Sequence, residues 1–342
     1  MCIRDRVVVG GCLSSSVELI GLEVNQAIQD WNGSIPLVAG KDTVVRAFLQ
    51  SLDIKPDRVV ARLHGERNGV ALPQSPQAPM NASGSVLATA GVADSRDDFW
   101  SSLNFRIPNS WTKGDVTLRL EVLGSQVECR ETIAPQNTCA AQVTFQESNE
   151  PRVKMVRVRY KEDGKNQILS GIETHEQARR MESALPIADL EYKFGSLQIK
   201  GDGKPNLSDV VAALAEKQAI DGDRAIYLGV LEGDGGGLAA DTPLTSAAWY
   251  VDDTAPGESY GYARNRGVHE FAHTVGAFEA ANLAGETYCS DPVEVTEGAP
   301  AYPFPNDVAG AIKPTLGPMG VDNTEVWGID TRYVSILSLI HI

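Results

Sequence analysis

The fold is decided by the stretch Gly267-Val268-His269-Glu270-Phe271-Ala272-His273-Thr274-Val275-Gly276-Ala277-Phe278-Glu279. His269 and His273 are four residues apart, so on a helix that rises about 1.5 Å per residue they share one face and can bind one metal ion. Glu270 stands beside this pair, where its carboxylate can take a proton from a water that the metal activates. The stretch therefore predicts a helix that binds zinc (Zn²⁺) through His269 and His273, with Glu270 as general base.

The alternative for the same stretch is a helix that carries two surface histidines. The chain has five histidines in 342 residues, and one of them, His341, lies in a terminal segment that is set aside below. Two of the other four fall within one helical turn. This concentration favours the metal site.

The third zinc ligand is predicted to be Glu279. Gly276 follows His273 by three residues, and glycine takes the left-handed turn that ends a helix without a Cβ penalty. Three further residues then bring Glu279 back towards the metal. The competing candidates are acidic residues farther along the chain: Glu286, Asp291, Glu294 and Glu297. Nearby Pro292 and Pro300 argue against a second helix that would present them.

The pattern H-E-x-x-H-x-x-G-x-x-Glu279 resembles the metzincin group of zinc peptidases, in which the third ligand is usually His and sometimes Asp. The glutamate at this place is a departure from that pattern. The resemblance implies a zinc-dependent endopeptidase that cleaves a peptide or protein substrate through a metal-bound water, with Glu270 as general base. It also implies a methionine turn beneath the metal. Met319 is in reach by spacing, although the tyrosine that often follows is absent.

Two other functions fit the same residues. One is a cell-surface binding or adhesion lipoprotein whose zinc site is structural or degenerate. The other is a zinc hydrolase that acts on a non-peptide amide.

The two ends of the chain look foreign to the protein. Residues 1–6 and 337–342 resemble translations of a sequencing adapter, so we exclude them from reasoning about the fold. The following residues 7–12, with a serine-rich run after Cys12, resemble the end of a bacterial lipoprotein signal peptide, and the alternative is a short buried strand. We therefore expect an extracytoplasmic protein, either secreted or held at the cell envelope by a lipid on Cys12.

The net charge and the positions of the cysteines are consistent with an exported protein. The formal net charge of −15 argues against a nucleic-acid partner, because phosphate binding needs clustered Lys and Arg. Cys129 and Cys139 flank a polar loop between two strand-like runs, which predicts a disulfide that closes a hairpin. Cys289 is then left without a predicted partner.

The fold class predicted for the whole chain is α+β. After residues 1–16, residues 17–150 show short runs with period-two alternation, which predict an antiparallel, immunoglobulin-like β-sandwich. The predicted strands are Thr43–Leu49, Val59–Leu63, Leu103–Ile107, Val116–Val122 and Ala141–Phe145. Trp31, Trp100 and Trp111 near its turns favour a core role over a carbohydrate-binding face.

Residues 151–336 are predicted to form a metzincin-like α/β catalytic domain with a mixed sheet. Strands at Val153–Tyr160, Glu191–Lys200, Ala225–Leu231 and Ser246–Val251 alternate with two helices, the first capped by Thr174 with Gln177 and the second by Asn206. The inner face of the second helix is predicted to carry Val210, Val211, Leu214 and Ile220. Gly233–Gly237 is interpreted as a flexible connection, and Ser246–Val251 as the edge strand beside the substrate cleft. This order resembles the N-terminal half of metzincin catalytic domains.

Overall fold

A computed structural model of the chain describes residues 16–29, 33, 35–52, 57–89, 96, 98–129, 139–148, 150–185, 187–233, 235–241, 244–250, 266–268, 270–271, 274, 327–331 and 335–338. Contacts divide the chain into two compact units. The first comprises Met1–Val24, Val44–Trp111 and Asp115–Val143, and the second comprises Asn25–Thr43, Thr112–Gly114 and Thr144–Ile342. The α+β class is confirmed, with strands outnumbering helices among the described elements.

The described elements follow one another in chain order. The strands are β1 (Ser16–Asn25), β2 (Ile28–Gln29), β3 (Leu37–Val38), β4 (Thr43–Ser51), β5 (Asp57–Arg67), β6 (Val70–Ala71), β7 (Val86–Ala88), β8 (Leu103–Ile107), β9 (Gly114–Leu123), β10 (Gln126–Cys129), β11 (Ala140–Gln146), β12 (Arg152–Glu162), β13 (Lys165–Gln167), β14 (Glu191–Gln198), β15 (Ile226–Glu232), β16 (Gly237–Asp241), β17 (Leu244–Tyr250), β18 (Trp327–Asp330) and β19 (Ser335–Ser338). The helices are a 3₁₀ turn at Phe99–Ser101, α1 (Gly171–Ala184) and α2 (Leu207–Asp221).

The first part of the chain contains two sheets. One has the strand order β10-β1-β4-β8, and the other has the order β3-β11-β9-β5-β6, with β7 paired to β5. All five strands predicted from alternation in this region are present. The prediction of purely antiparallel pairing is wrong, because β1 pairs with β10 and β3 with β11 in parallel. About a hundred residues separate the strands of each parallel pair, which is ample for the crossover that parallel pairing requires.

The disulfide predicted from the sequence is present. Cys129, at the end of β10, is bonded to Cys139, just before β11, with their Cα atoms 5.2 Å apart. Cys139 is buried. The bond therefore ties together the ends of two strands.

The second unit is built on a sheet in which β14, β12, β15 and β17 run parallel, in that order, and β16 is an antiparallel edge strand beside β17. Successive side chains along these strands point to opposite faces of the sheet, and each face packs into its own hydrophobic core. Met155 and Leu228 face the core that contains α1, whereas Val156 and Tyr227 face the core that contains α2. A short antiparallel sheet of β19, β18 and β2 also belongs to this unit.

Helix α2 follows the sequence prediction with one exception. Asn206 is its N-cap, and its side chain accepts a hydrogen bond from the Ser208 N–H. Val210, Val211 and Leu214 are buried as predicted, but Ile220 is 77% exposed. Ile220 follows Val211 by nine residues, which is two and a half turns at 3.6 residues per turn, so it lies on the opposite side of the helix.

No helix in the described part of the chain is both long enough and apolar enough to cross a membrane.

Candidate active site

A third helical segment follows the sheet and carries Glu270. Residues 266–268, 270, 271 and 274 have helical backbone, as the sequence predicts, and we call this segment the Glu270 helix. Val268 and Phe271 are each 1% exposed and pack into the core with Met155 and Leu228. One side of the Glu270 helix is thus fixed against the same face of the sheet as α1.

Close approach to α1 depends on Gly267. A Cβ atom at this position would lie 2.8 Å from Oε1 of Gln177 and 3.8 Å from a methyl group of Leu228. Gln177 is itself buried on α1. The lack of a side chain at Gly267 therefore lets the helix sit close to α1.

Thr274 fixes the helix one turn beyond Glu270. Its hydroxyl lies 3.0 Å from the carbonyl oxygen of Glu270 and 3.4 Å from that of Thr245 on β17, so it can donate to either. The side chain is buried. Thr274 thereby links the backbone that carries Glu270 to the sheet.

The Glu270 side chain is buried against the edge of the sheet. Its carboxylate lies directly beside the backbone of Gly237, the first residue of β16. A buried carboxylate is costly unless it is paired or hydrogen-bonded, and Glu270 does have polar interactions. The predicted general base is therefore held at the start of the edge strand.

The edge strand is not the one predicted. The sequence predicts Ser246–Val251 as the cleft border, but the described residues of this segment, Ser246–Tyr250, lie in β17, which is enclosed between β15 and β16. Among the described strands, the edge of this sheet is β16, which begins at Gly237, inside the glycine run that the sequence pattern predicts to be a flexible connection. Only two residues, Thr242 and Pro243, separate the paired Asp241 and Leu244. That spacing is typical of a β-hairpin, but Thr-Pro is not one of the residue pairs that mark such a turn in a sequence.

The predicted zinc ligands His269, His273 and Glu279 lie outside the described residues, as do the alternative ligands Glu286, Asp291, Glu294 and Glu297 and the methionine Met319. Within the described ranges, no three His, Cys, Asp or Glu side chains come together to hold a metal. Helical backbone lies on both sides of position 269, and the Glu270 side chain is buried. The ligand assignment stays a prediction.

His64 and His175, the two histidines that the structure describes, each contact another side chain. His64 Nε2 lies 2.7 Å from the Glu121 carboxylate, and His175 Nδ1 lies 2.6 Å from the Tyr192 hydroxyl. The hydrogen bond with His64 is the main reason why the pKa of Glu121 is lowered. The contact with Glu121 indicates a structural role for His64.

No protein-family model matches the chain, and neither a curated protein nor a solved structure was found that matches it.

Proposed function

We propose that this protein is a zinc-dependent endopeptidase with a metzincin-like catalytic unit. Glu270 acts as general base, and His269, His273 and Glu279 hold the metal. The observation that carries the proposal is the buried Glu270 carboxylate, which lies on a helix packed against the sheet and touches the first residue of an edge strand. Because burying an ionisable side chain is costly, a buried acid at such a position supports a functional role.

The order of elements supports the metzincin-like fold. Apart from the short strand β13, which pairs with the end of β12, strands and helices alternate as β12, α1, β14, α2 and β15. The antiparallel edge strand β16 follows, and β17 then leads towards the helix. The mixed sheet predicted for residues 151–336 is consistent with this unit.

The substrate would lie along β16. Among the described strands, β16 pairs only with β17, so its outer edge presents backbone N–H and C=O groups. An extended peptide can add to such an edge as a further strand. Since β16 starts beside Glu270, a peptide bound there would place a backbone carbonyl close to the general base.

Glu270 would transfer the proton of the reaction. Zinc, when bound, would polarise the scissile carbonyl and lower the pKa of the attacking water towards neutrality. The Glu270 carboxylate would accept the proton of that water and deliver it to the leaving amine. The contacts of Gly267, Val268, Phe271 and Thr274 would keep the carboxylate in place during both transfers.

The Glu270→Gln variant tests this role. The amide keeps the size of the side chain but cannot accept the proton, so we expect zinc content to remain unchanged and cleavage to fall by roughly 10²–10⁴-fold. Zinc would be measured by metal analysis, and cleavage by mass spectrometry of a mixed peptide library. Glu216→Gln, at an exposed position on α2, is the matched control.

Two outcomes would contradict the proposal. Undiminished cleavage by Glu270→Gln would remove Glu270 from the mechanism. An unmodified chain that holds zinc through four protein ligands and cleaves no peptide would instead favour the binding or adhesion protein, because a closed coordination shell leaves no position for a substrate.

We also propose that the protein works outside the cytoplasm. The Cys129–Cys139 bond supports this location, because disulfides persist in oxidising compartments. A lipid on Cys12 would add an envelope anchor, and Cys12 lies outside the described residues.

A further inference from the structure

We infer that Gly237 is a positioning residue for Glu270, and that the missing side chain at position 237 creates the space in which the carboxylate sits. The inference rests on the proposed function, since it concerns the group assigned as general base.

The contact between the two residues is direct. A Cβ atom built on Gly237 would overlap Cγ, Cδ and Oε1 of Glu270, which are its three nearest heavy atoms. All three belong to a single side chain. A methyl group at position 237 would therefore displace the Glu270 carboxylate before it disturbed another residue.

Conformational freedom does not explain the glycine. The φ angle of Gly237 lies outside the left-handed region, and the residue pairs with Ala248 in a regular antiparallel register. Alanine can adopt the same backbone. The requirement at this position is thus one of space beside the carboxylate.

Gly236, the residue before Gly237, provides a control position. Gly236 also has a φ outside the left-handed region, and a Cβ atom there would meet no heavy atom within 4 Å. The two glycines are adjacent, but Gly236 lies just before β16 and only Gly237 faces Glu270. Gly236→Ala is therefore a control for any general effect of alanine at the start of β16.

The Glu270 helix has little room to move away from an added methyl group. Val268 and Phe271 are buried in the core, and Gly267 already lies close to Gln177. The adjustment would fall on the Glu270 side chain, which would turn away from the edge of the sheet. A displacement of about 1 Å in a reacting group can lower a rate by about 10²-fold.

The kinetic test uses the zinc-loaded full chain. Gly237→Ala is expected to lower kcat by about 10- to 100-fold, with KM within about twofold because the backbone of β16 still pairs with substrate. Gly236→Ala should match the unmodified enzyme. Undiminished kcat in Gly237→Ala would overturn the inference and leave the proposed function intact.

A second kinetic arm separates positioning from a general loss of structure. Glu270→Asp shortens the side chain by one methylene and so frees space beside residue 237. In the Glu270→Asp background, Gly237→Ala should therefore lower kcat at most a few-fold. In the unmodified enzyme the same substitution should lower kcat by about 10- to 100-fold. An equal cost in both backgrounds would show that residue 237 does not act through Glu270.

A third measurement does not depend on activity. Gly237→Ala should lower the urea midpoint of the unmodified chain, but should leave that of the Glu270→Ala chain unchanged, because truncation removes the atoms that the methyl group meets. If this coupling is found while the unmodified chain cleaves no peptide, the contact stands and the proposed function fails. Equal shifts in both chains would refute the contact itself.

Discussion

Gly65 makes room for a larger side chain in the first unit, as Gly237 does in the second. A Cβ atom on Gly65 would lie 2.5 Å from the ring of Trp111, which is completely buried. The Trp111 indole Nε1 donates to the carbonyl of Pro73 at 2.7 Å, so its polar atom is satisfied. Trp111 thus has the core role expected from the sequence, whereas Trp100 is 55% exposed.

Substitution of Gly65 measures how tightly the Trp111 site is packed. Gly65→Ala should lower the free energy of unfolding by about 1–3 kcal/mol, because the added methyl group overpacks a filled core. Urea denaturation followed by tryptophan fluorescence would measure the change. Gly171→Ala is the control, since a Cβ atom there meets nothing within 4 Å. If Gly65→Ala lowered the free energy of unfolding no more than Gly171→Ala does, the Trp111 indole would be able to shift away from the added methyl group without destabilising the protein.

Some buried residues in the first unit carry no readable sequence signal. Arg96 and Glu23 form an ion pair with side chains 3% and 0% exposed, although 73 positions separate them. Arg46 is also fully buried, and its guanidinium donates to Ser102 and to the carbonyls of Arg96 and Asp98. Charged residues are rarely buried unless paired, and the pairing depends on contacts that only the fold creates.

At the level of elements, the longer strands could be predicted and the short ones could not. The strand predicted at Val116–Val122 covers most of β9, and the strand predicted at Leu103–Ile107 coincides with β8. The two-residue strands β2 and β3 are too short to show a period. Strand β16, with glycine and alanine at three of its five positions, has low intrinsic β-propensity, so its pairing with β17 determines its structure.

Helix α1 begins one turn earlier than the sequence pattern predicts. Thr174 was predicted as N-cap, but the cap is Ser170, whose side chain accepts from the Glu173 N–H in a complete capping box. Thr174 lies within the first turn, and its hydroxyl donates to the Ser170 carbonyl at 2.8 Å. Gly171 weakened the helical pattern at this point, although the pair Ser170 and Glu173 was readable in the sequence.

The end of α2 is joined to the sheet by an ionic contact with a defined pH dependence. The Lys154 ammonium lies 2.6 Å from the Asp221 carboxylate, which also accepts from the Tyr227 hydroxyl at 2.7 Å. The hydrogen bond from Lys154 is the main reason why the pKa of Asp221 lies well below its usual range. A lowered pKa in the folded state stabilises the fold above the unfolded pKa of about 4 and loses this contribution as pH falls towards the folded value.

Asp221→Asn should therefore destabilise the protein more at pH 7 than at pH 3. The amide loses the ionic contact at neutral pH, whereas acid progressively weakens the same contact in the unmodified chain. Urea denaturation of both chains at the two pH values gives the comparison. Glu216→Gln, on the exposed side of α2, should show no such dependence. A difference that is independent of pH would assign the contribution of Asp221 to neutral hydrogen bonding.

At the level of the whole molecule, the early segment Asn25–Thr43 belongs to the second unit. The Gln26 side chain accepts from the Val38 N–H at 2.6 Å and donates to the Val38 carbonyl at 2.8 Å, which holds the segment in a closed loop. The buried Lys41 side chain donates to the carbonyl of Glu182 near the end of α1. This placement is not visible in the sequence, because Lys41 and Glu182 are separated by 141 positions.

Lys41 is well placed to stabilise α1. Its positive charge lies at the C-terminal end of a helix, where carbonyl groups without helical partners concentrate negative charge. Lys41→Met keeps most of the aliphatic length but removes the donor, so the free energy of unfolding should fall by about 1–3 kcal/mol. Thermal or urea denaturation would report the loss.

The control for Lys41 is Lys200→Met at an exposed position. Equal stability of the two variants would show that the contact with Glu182 contributes nothing, and that other interactions attach the segment to α1.

The disulfide between Cys129 and Cys139 also determines how the chain would respond to mechanical tension. When the two ends are pulled apart, the force passes through the sulfur bridge and bypasses residues 130–138. While the bond is intact, about 30 Å of contour length cannot extend, given about 3.4 Å per extended residue. An intact chain would therefore extend less than its residue count allows, and reduction of the bond would release the remainder in one step.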